Sequence, residues 1–461
     1  MSPRARTGAA MREIRRIIAP LWVVDVGWLP ISTLVHGDLC AGGTVQFVSG
    51  TGNWDQLARG VRLPIPSYVV VPKLHEVTLP VPRPTAVGDL EAEVRSVTTA
   101  AFVRRDLAGR AVAVGAGSRG LTGRVETLRG VVAGLRECGA EPFVVPAMGS
   151  HAGGSAQGQR ELLAALGIDE ESLDCEIRSS MTTVEIARTA GGMPLYLDEH
   201  AAAADFVLPV NRVKPHTCFK GPIESGCTKM TVVGFGKQPG AAQIHACGPE
   251  RMAQRLLDGV AAVRSTGRLL GGVATVESCA GDVVRVAAFG PDDVGGAAEY
   301  ELTDYARSLV PRLPFPDIDV LVIERGGKDI SGTMIDPNVT GRFWVHGLAD
   351  FDAPPATIVL LGITEASGGN VLGVGLADFI PVSVANVIDW EKTYLNCLTA
   401  GPSGVRRSRM PMVLADEDEC IRAAMMMCGK AADEPKRIVR IRSTLHLERA
   451  WVSEGLVGEL P

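Results

Sequence analysis

DFVLPVNRVKPHTCFKGPIESGCTKMTVVGFGKQPGAAQIH, residues 205–245, decides how the rest of the chain is read. It opens on a continuous apolar run (Phe206, Val207, Leu208, Val210) of the kind a parallel sheet covers on both faces. Cationic and imidazole groups follow at the strand's end: Arg212, Lys214, His216 and Lys220. Beyond a glycine-bearing turn (Gly221, Gly226) come Lys229, a second glycine-rich segment (Gly234, Gly236, Gly240) and His245. Ligands in open α/β sheets bind beyond the carboxyl ends of strands, so this cluster marks a candidate site. Lys229 is followed by the apolar, strand-like MTVVGFG, and reads either as a partly desolvated, nucleophilic amine or as a phosphate-binding or solvated lysine.

Upstream, strand-like runs (111–114, 142–145) alternate with helical ones (125–138, 157–166), which argues βαβ units and a parallel sheet. Ser155 is placed to cap the helix that begins at Gln157. After the first strand, GAGSRG carries a formal GxGxxG at Gly115, Gly117 and Gly120. The dinucleotide fingerprint also wants an acidic residue about twenty positions on, and FVVPAMG stands there instead. What survives is a glycine turn at a helix start that can hold an anion, with Arg119 beside it to grip a carboxylate or to form a surface ion pair. After the second strand, MGSHAGG sets His151 among glycines. A neutral imidazole there suits acid/base work near pH 7. Three strand ends thus direct Arg119, His151 and His216 toward one crevice. His245 is the best single metal ligand, but one imidazole with no carboxylate cluster builds no protein-only metal site. Any metal here needs a cofactor to supply most of its ligands.

Downstream, a helix from Gln254, the strand DVVRVAAFG and a helix over 299–309 lead to the proline-rich PRLPFPDID, read as a linker. VLVIERGG then starts a second α/β unit containing TIVLLGIT, PVSVANV, MVLADED and RIVRIRS. The expected fold is therefore α/β, with two domains of largely parallel sheet and a cleft between them. An N-terminal extension covers 1–64, a cofactor-binding domain 65–300, and a C-terminal domain closing the site 301–461.

A chain of 461 residues with 46% hydrophobic and 21% charged residues is an ordinary globular protein. Its formal charge of −6 gives no reason to expect a nucleic-acid partner. IIAPLWVVDVGWLPISTLV near the start is interrupted by Pro20, Asp25 and Pro30, a poor membrane span. The ten cysteines form no CxxC pair, and Cys138, Cys279, Cys397, Cys420 and Cys428 read as reduced core residues of a cytoplasmic protein.

The series GSRG, MGSHAGG, the 205–229 stretch and GKQPGAAQIH resembles the LarA-type, lactate racemase-like family of nickel-pincer 2-hydroxyacid racemases and epimerases, over about residues 66–350. The resemblance implies a nickel-pincer nucleotide, a pyridinium mononucleotide with two thio-acyl arms, covalently attached at Lys229 with His245 as the protein's nickel ligand. It implies His151 and His216 as an alternating acid/base pair and Arg119 as the carboxylate grip. Gly115, Gly117, Gly120 and Lys214 fall at the cofactor, and Lys328 at the developing ketone oxygen, with Asp329 and Asn338 as further contacts. Pincer-cofactor synthesis enzymes are the implied partners. Where the lactate enzymes resemble Asp-x-Thr-Arg-Pro and Gly-Thr-His-Arg, this chain has GAGSRG and GSHA, and its loop HTCFKGPIESGCTK is longer, adding Lys220 and Glu224. The substrate expected is thus a 2-hydroxy acid, lactate or another, with Lys220 hinting at a second carboxylate or a larger polar hydroxyacid. The alternatives are an NAD-dependent oxidoreductase and a non-catalytic nickel or nucleotide carrier on the same fold.

Overall fold

The computed structural model describes residues 54–118, 122–351 and 353–460. The chain divides into two compact units, 1–59 and 60–461. In the first, the described residues form the helix Trp54–Arg59. The second unit carries the strands β1 (Leu74–Thr78), β2 (Ala111–Ala116), β3 (Glu141–Pro146), β4 (Thr183–Arg188), β5 (Pro194–Asp198), β6 (Phe206–Arg212), β7 (Gly272–Glu277) and β8 (Val283–Phe289). It continues with β9 (Val320–Ile323), β10 (Thr357–Leu360), β11 (Phe379–Pro381), β12 (Met412–Leu414), β13 (Ile438–Ile441) and β14 (Arg449–Ser453).

Two larger sheets organise these strands in an α/β fold. The first has the order β3-β2-β6-β7-β8, parallel except for β8. Val112, Val114, Val207 and Leu208 are fully buried there, which is why these strands read as unbroken apolar runs rather than alternating ones. The Asp205 carboxylate accepts the Ala111 amide at 2.9 Å and so sets the register between β6 and β2. From β2 the chain moves outward on one side to β3 and returns on the other side at β6. The loops after β2 and β6 therefore flank a topological switch point, the place where such sheets open a crevice. The helices Arg124–Glu137 and Ala156–Ala165 follow their expected positions, and Ser155 caps the second by accepting the Gly158 amide at 3.1 Å.

The second sheet has the order β1-β14-β13-β9-β10-β11-β12. Its edge strand is drawn from the N-terminal part of the expected 65–300 domain. Residues 74–78 pair antiparallel with β14 across the length of the chain and form one edge of this sheet. PVSVANV also departs from a simple strand: β11 ends at Pro381 and the helix Val382–Ala385 follows. Cys420 is fully buried, whereas Cys138, Cys279, Cys397 and Cys428 are half-buried, and the described cysteines are free thiols. Among the described residues no helix is long and apolar enough to cross a membrane.

The segment after Lys229 is not a strand. Gly226–Lys229 is one α-turn, and Met230–Gly234 continues it as a π-turn closed by the Phe235 amide on the Met230 carbonyl at 2.9 Å. The helix starts on Gly226 at φ +76°, where an added Cβ would lie 2.3 Å from Glu299 Oε1. Glu299, fully buried, accepts the Thr228 amide (3.0 Å), the Thr228 hydroxyl (2.5 Å) and the Gly295 amide (2.8 Å). Burial pushes its carboxyl up, and the Thr228 and Gly295 hydrogen bonds oppose that. Removing the carboxylate strands three donors. Glu299→Ala should cost about 3 kcal/mol and Gly226→Ala about 2 kcal/mol or more, measured by denaturant unfolding of each variant against wild type.

Candidate active site

The loops beyond β2, β3 and β6 converge on the helical segment 226–234. Ser118 Oγ, just past β2, lies 2.5 Å from His151 Nδ1, just past β3. The Gly149 amide donates to the Gly234 carbonyl at 3.2 Å, and a Cβ on Gly117 would lie 3.2 Å from Met230 Cε. His216, beyond β6, points its Nε2 at Lys229 Nζ at 2.8 Å, and its Nδ1 accepts the Cys218 amide at 3.0 Å. The Phe219 ring packs on the imidazole with centroids 4.4 Å apart. His151, His216 and Lys229 thus belong to one region. Arg119 and Gly120 lie outside the described residues. Gly115 faces protein, because the Phe235 ring would sit 2.6 Å from a Cβ there. Lys214 is exposed, and its amide and carbonyl are both held by Ser225 Oγ at 2.7 Å.

His245 ends the helix Lys237–His245. Burial lowers its imidazole from the ordinary 6.5 to about 4, and positive charge on Lys229 adds to the shift. The ring is therefore neutral at physiological pH, the form in which histidine ligates a metal. Among the described residues no cluster of three histidine, cysteine or acidic side chains could hold a metal ion. A neutral imidazole beside a lysine amine is the donor set that suits a metal arriving with its own ligands, and in that respect the residues fit a nickel-pincer group.

Two lysines named from sequence have duties inside the fold. Lys328 Nζ donates to the Gly332 carbonyl (2.9 Å), the Leu372 carbonyl (3.2 Å) and Asn396 Oδ1 (3.0 Å), so it ties its own loop to the 372 loop and to the helix Trp390–Ala400. Asp329 accepts from Thr364 Oγ1 at 2.5 Å. Lys220, read as a hint of a second substrate carboxylate, meets a carboxylate of the chain itself. It pairs with Glu224 at 3.2 Å and donates to Asn338 Oδ1. Burial pulls its ammonium down and Glu224 opposes that. Asn338 does reach the histidine loop, with Nδ2 3.4 Å from the His216 carbonyl.

Sequence reading missed Lys237, Gln159 and Arg407. Lys237 is fully buried, with φ +50°, and bonds the Pro146 carbonyl (2.5 Å), Gln159 Oε1 (2.9 Å) and Asp198 (3.2 Å). Gln159 Nε2 then donates to the Gly149 carbonyl (2.9 Å) and, more distantly, to that of His151 (3.4 Å). One ammonium thus links the loop of His151 to the start of the helix of His245. Lys237 stood inside GKQPG, yet nothing in its spacing separates a buried lysine from a solvated one. Arg407, in a stretch without a motif, donates to the carbonyls of Phe343 (2.8 Å) and Thr217 (2.6 Å) and clamps the His216 loop from behind.

Two measurements follow. In histidine-labelled protein, His245 should titrate near pH 4 by NMR, and Lys229→Met should raise the midpoint while leaving it below 6.5, because burial is the larger cause. Between 6.5 and about 4 the unfolded chain takes up a proton that the folded ring refuses, so this site costs stability as pH falls through that window and nothing above it. Lys237→Met, which leaves Asp198 buried without its cation, should cost about 3 kcal/mol or more and speed amide exchange across 147–151.

A family model described as a domain of unknown function, DUF362, matches residues 113–290, the span from β2 to the end of the first sheet. No curated protein matches the chain. Among solved structures, the chain is similar to the lactate racemase apoprotein from Thermoanaerobacterium thermosaccharolyticum, at 13% identity and a TM-score of 0.45, with 83% of this chain and 86% of that one covered.

Proposed function

We propose that this protein is a racemase or epimerase of a 2-hydroxy acid that works with a nickel-pincer nucleotide. The observation that carries the reading is the meeting of two histidine loops on one helical segment, with Lys229 2.8 Å from His216 and a neutral His245 sixteen residues further on. When bound, the nucleotide supplies the hydride acceptor. Lys229 is its attachment point and His245 the ligand the chain contributes. The remaining work is proton transfer and orientation, and it falls to the chain.

Inverting a hydroxylated carbon requires a proton acceptor on each side of it, hence two imidazoles. With Nδ1 of His216 committed to the Cys218 amide, Nε2 is the nitrogen that exchanges the proton. With Nδ1 of His151 on Ser118, the same holds for the second ring. Phe219 against His216 limits water on that side. Arg119, at the glycine turn after β2, is the carboxylate grip in this reading.

The test is intact-protein mass and nickel content of chain co-produced with the pincer-cofactor synthesis enzymes, beside Lys229→Ala. The expected result is a covalent adduct with about one nickel per chain, lost in the variant, and interconversion of 2-hydroxy acid enantiomers that falls by about a hundredfold or more in His151→Ala or His216→Ala. Adduct and nickel without turnover on any 2-hydroxy acid would point to a carrier. Neither adduct nor nickel would end the proposal.

A further inference from the structure

The helix Trp390–Ala400 and the helix Pro402–Arg407 form a hairpin turning at Gly401, φ +60°. Its inner face is fully engaged. Thr393 Oγ1 accepts the Val371 amide (3.1 Å), Asn396 Oδ1 accepts Lys328 Nζ (3.0 Å), and Cys397 Sγ contacts Ser408 Oγ (2.9 Å). Its outer face is apolar. Trp390, Tyr394 and Leu398 recur at i, i+4 and i+8, and Leu395 lies beside them. Leu398 is 79% exposed, Val405 65%, Leu395 57%, Tyr394 55% and Trp390 37%. An amphipathic surface helix puts such residues inward and polar ones outward. Here the polar residues are inside, so the apolar stripe faces something that is not this domain's core.

We propose that this face is the contact surface for a second copy of the chain, paired antiparallel about a twofold axis. Five side chains leaving roughly 100 Å² each give about 500 Å² per copy, at the upper end of what a monomer leaves open. Two such faces together bury about 1,000 Å², the threshold for a specific interface. Charge selects self-pairing over an unrelated partner. Glu391 stands at the start of the hairpin, and Arg406 and Arg409 follow its turn. Among the described residues none of the three has an ionic partner. Twofold antiparallel apposition brings Glu391 of each copy to the arginine end of the other, which is the reciprocity an isologous contact demands.

The test is the molar mass of the full chain by analytical ultracentrifugation over a micromolar dilution series. Wild type should be a dimer and Leu398→Asp a monomer with an unchanged circular dichroism spectrum. Glu391→Arg and Arg406→Glu, both exposed changes that fold independently of the patch, should each weaken the dimer by about tenfold, and the double reversal should restore it. A monomeric wild type would overturn the proposal in favour of a different occupant. So would a dimer unaffected by Leu398→Asp, or one that the double reversal fails to restore.

Discussion

A buried carboxylate holds the loop between His216 and Glu224 in shape. Glu224 is fully excluded from solvent and accepts the His216 amide at 2.7 Å, Lys220 at 3.2 Å and Arg307 at 2.6 Å. Two cations and one amide around one carboxylate satisfy its lone pairs, which is the condition under which a buried charge is tolerated. By closing the loop between residues 216 and 224, this contact turns the chain back after β6. The helix that follows then presents Lys229 to the same histidine. Without that closure the strand end and the helix would be sequence neighbours with no reason to face each other.

Two short helices, Pro337–Thr340 and Pro402–Arg407, support the loop from the other side. Asn338 and Arg407 both hold main-chain carbonyls of the 216–217 turn, and Lys220 reaches Asn338 in return. Carbonyls are insensitive to side-chain identity, so these contacts fix where the loop runs, while Arg407 also meets the Cys218 thiol at 3.1 Å. Orientation of the imidazole falls to the Cys218 amide, the Lys229 amine and the Phe219 ring. Path and orientation are thereby controlled by different parts of the molecule.

Local pattern carried most of the first sheet. The runs around Val112, Val144 and Leu208 are apolar because both sheet faces are covered, and Ser155 announced its helix by an ordinary cap. Placement of His151 and His216 beyond strand ends was legible for the same reason. MTVVG was misread because β-branched residues favour strands in the absence of other forces. Here Glu299 caps the turn and Met230, Thr231 and Val232 are all buried, so tertiary packing overrides propensity. The pairing of Leu74–Thr78 with β14 left no trace, since no local signal encodes a partner at the far end of the chain. The roles of Lys220 and Lys328 were equally hidden. A lysine's reach is long, and only the fold decides which acceptors lie within it.

The π-turn sets the angular relation between Lys229 and His245. On an unbroken α-helix, sixteen residues would separate the two by about 24 Å along the axis. Instead the π-turn at Met230–Gly234 and the left-handed Lys237 interrupt the run, and the two side chains come close enough for the charge of one to act on the other. The length of this segment is therefore a structural quantity in its own right. At Gly234 even one methyl is excluded, because an added Cβ would lie 2.5 Å from Met230 Sδ and 2.6 Å from the Ala147 carbonyl oxygen. Deleting one residue would collapse the π-turn into an ordinary helical one and shorten the path from Lys229 to His245, so the segment is constrained in composition and in count.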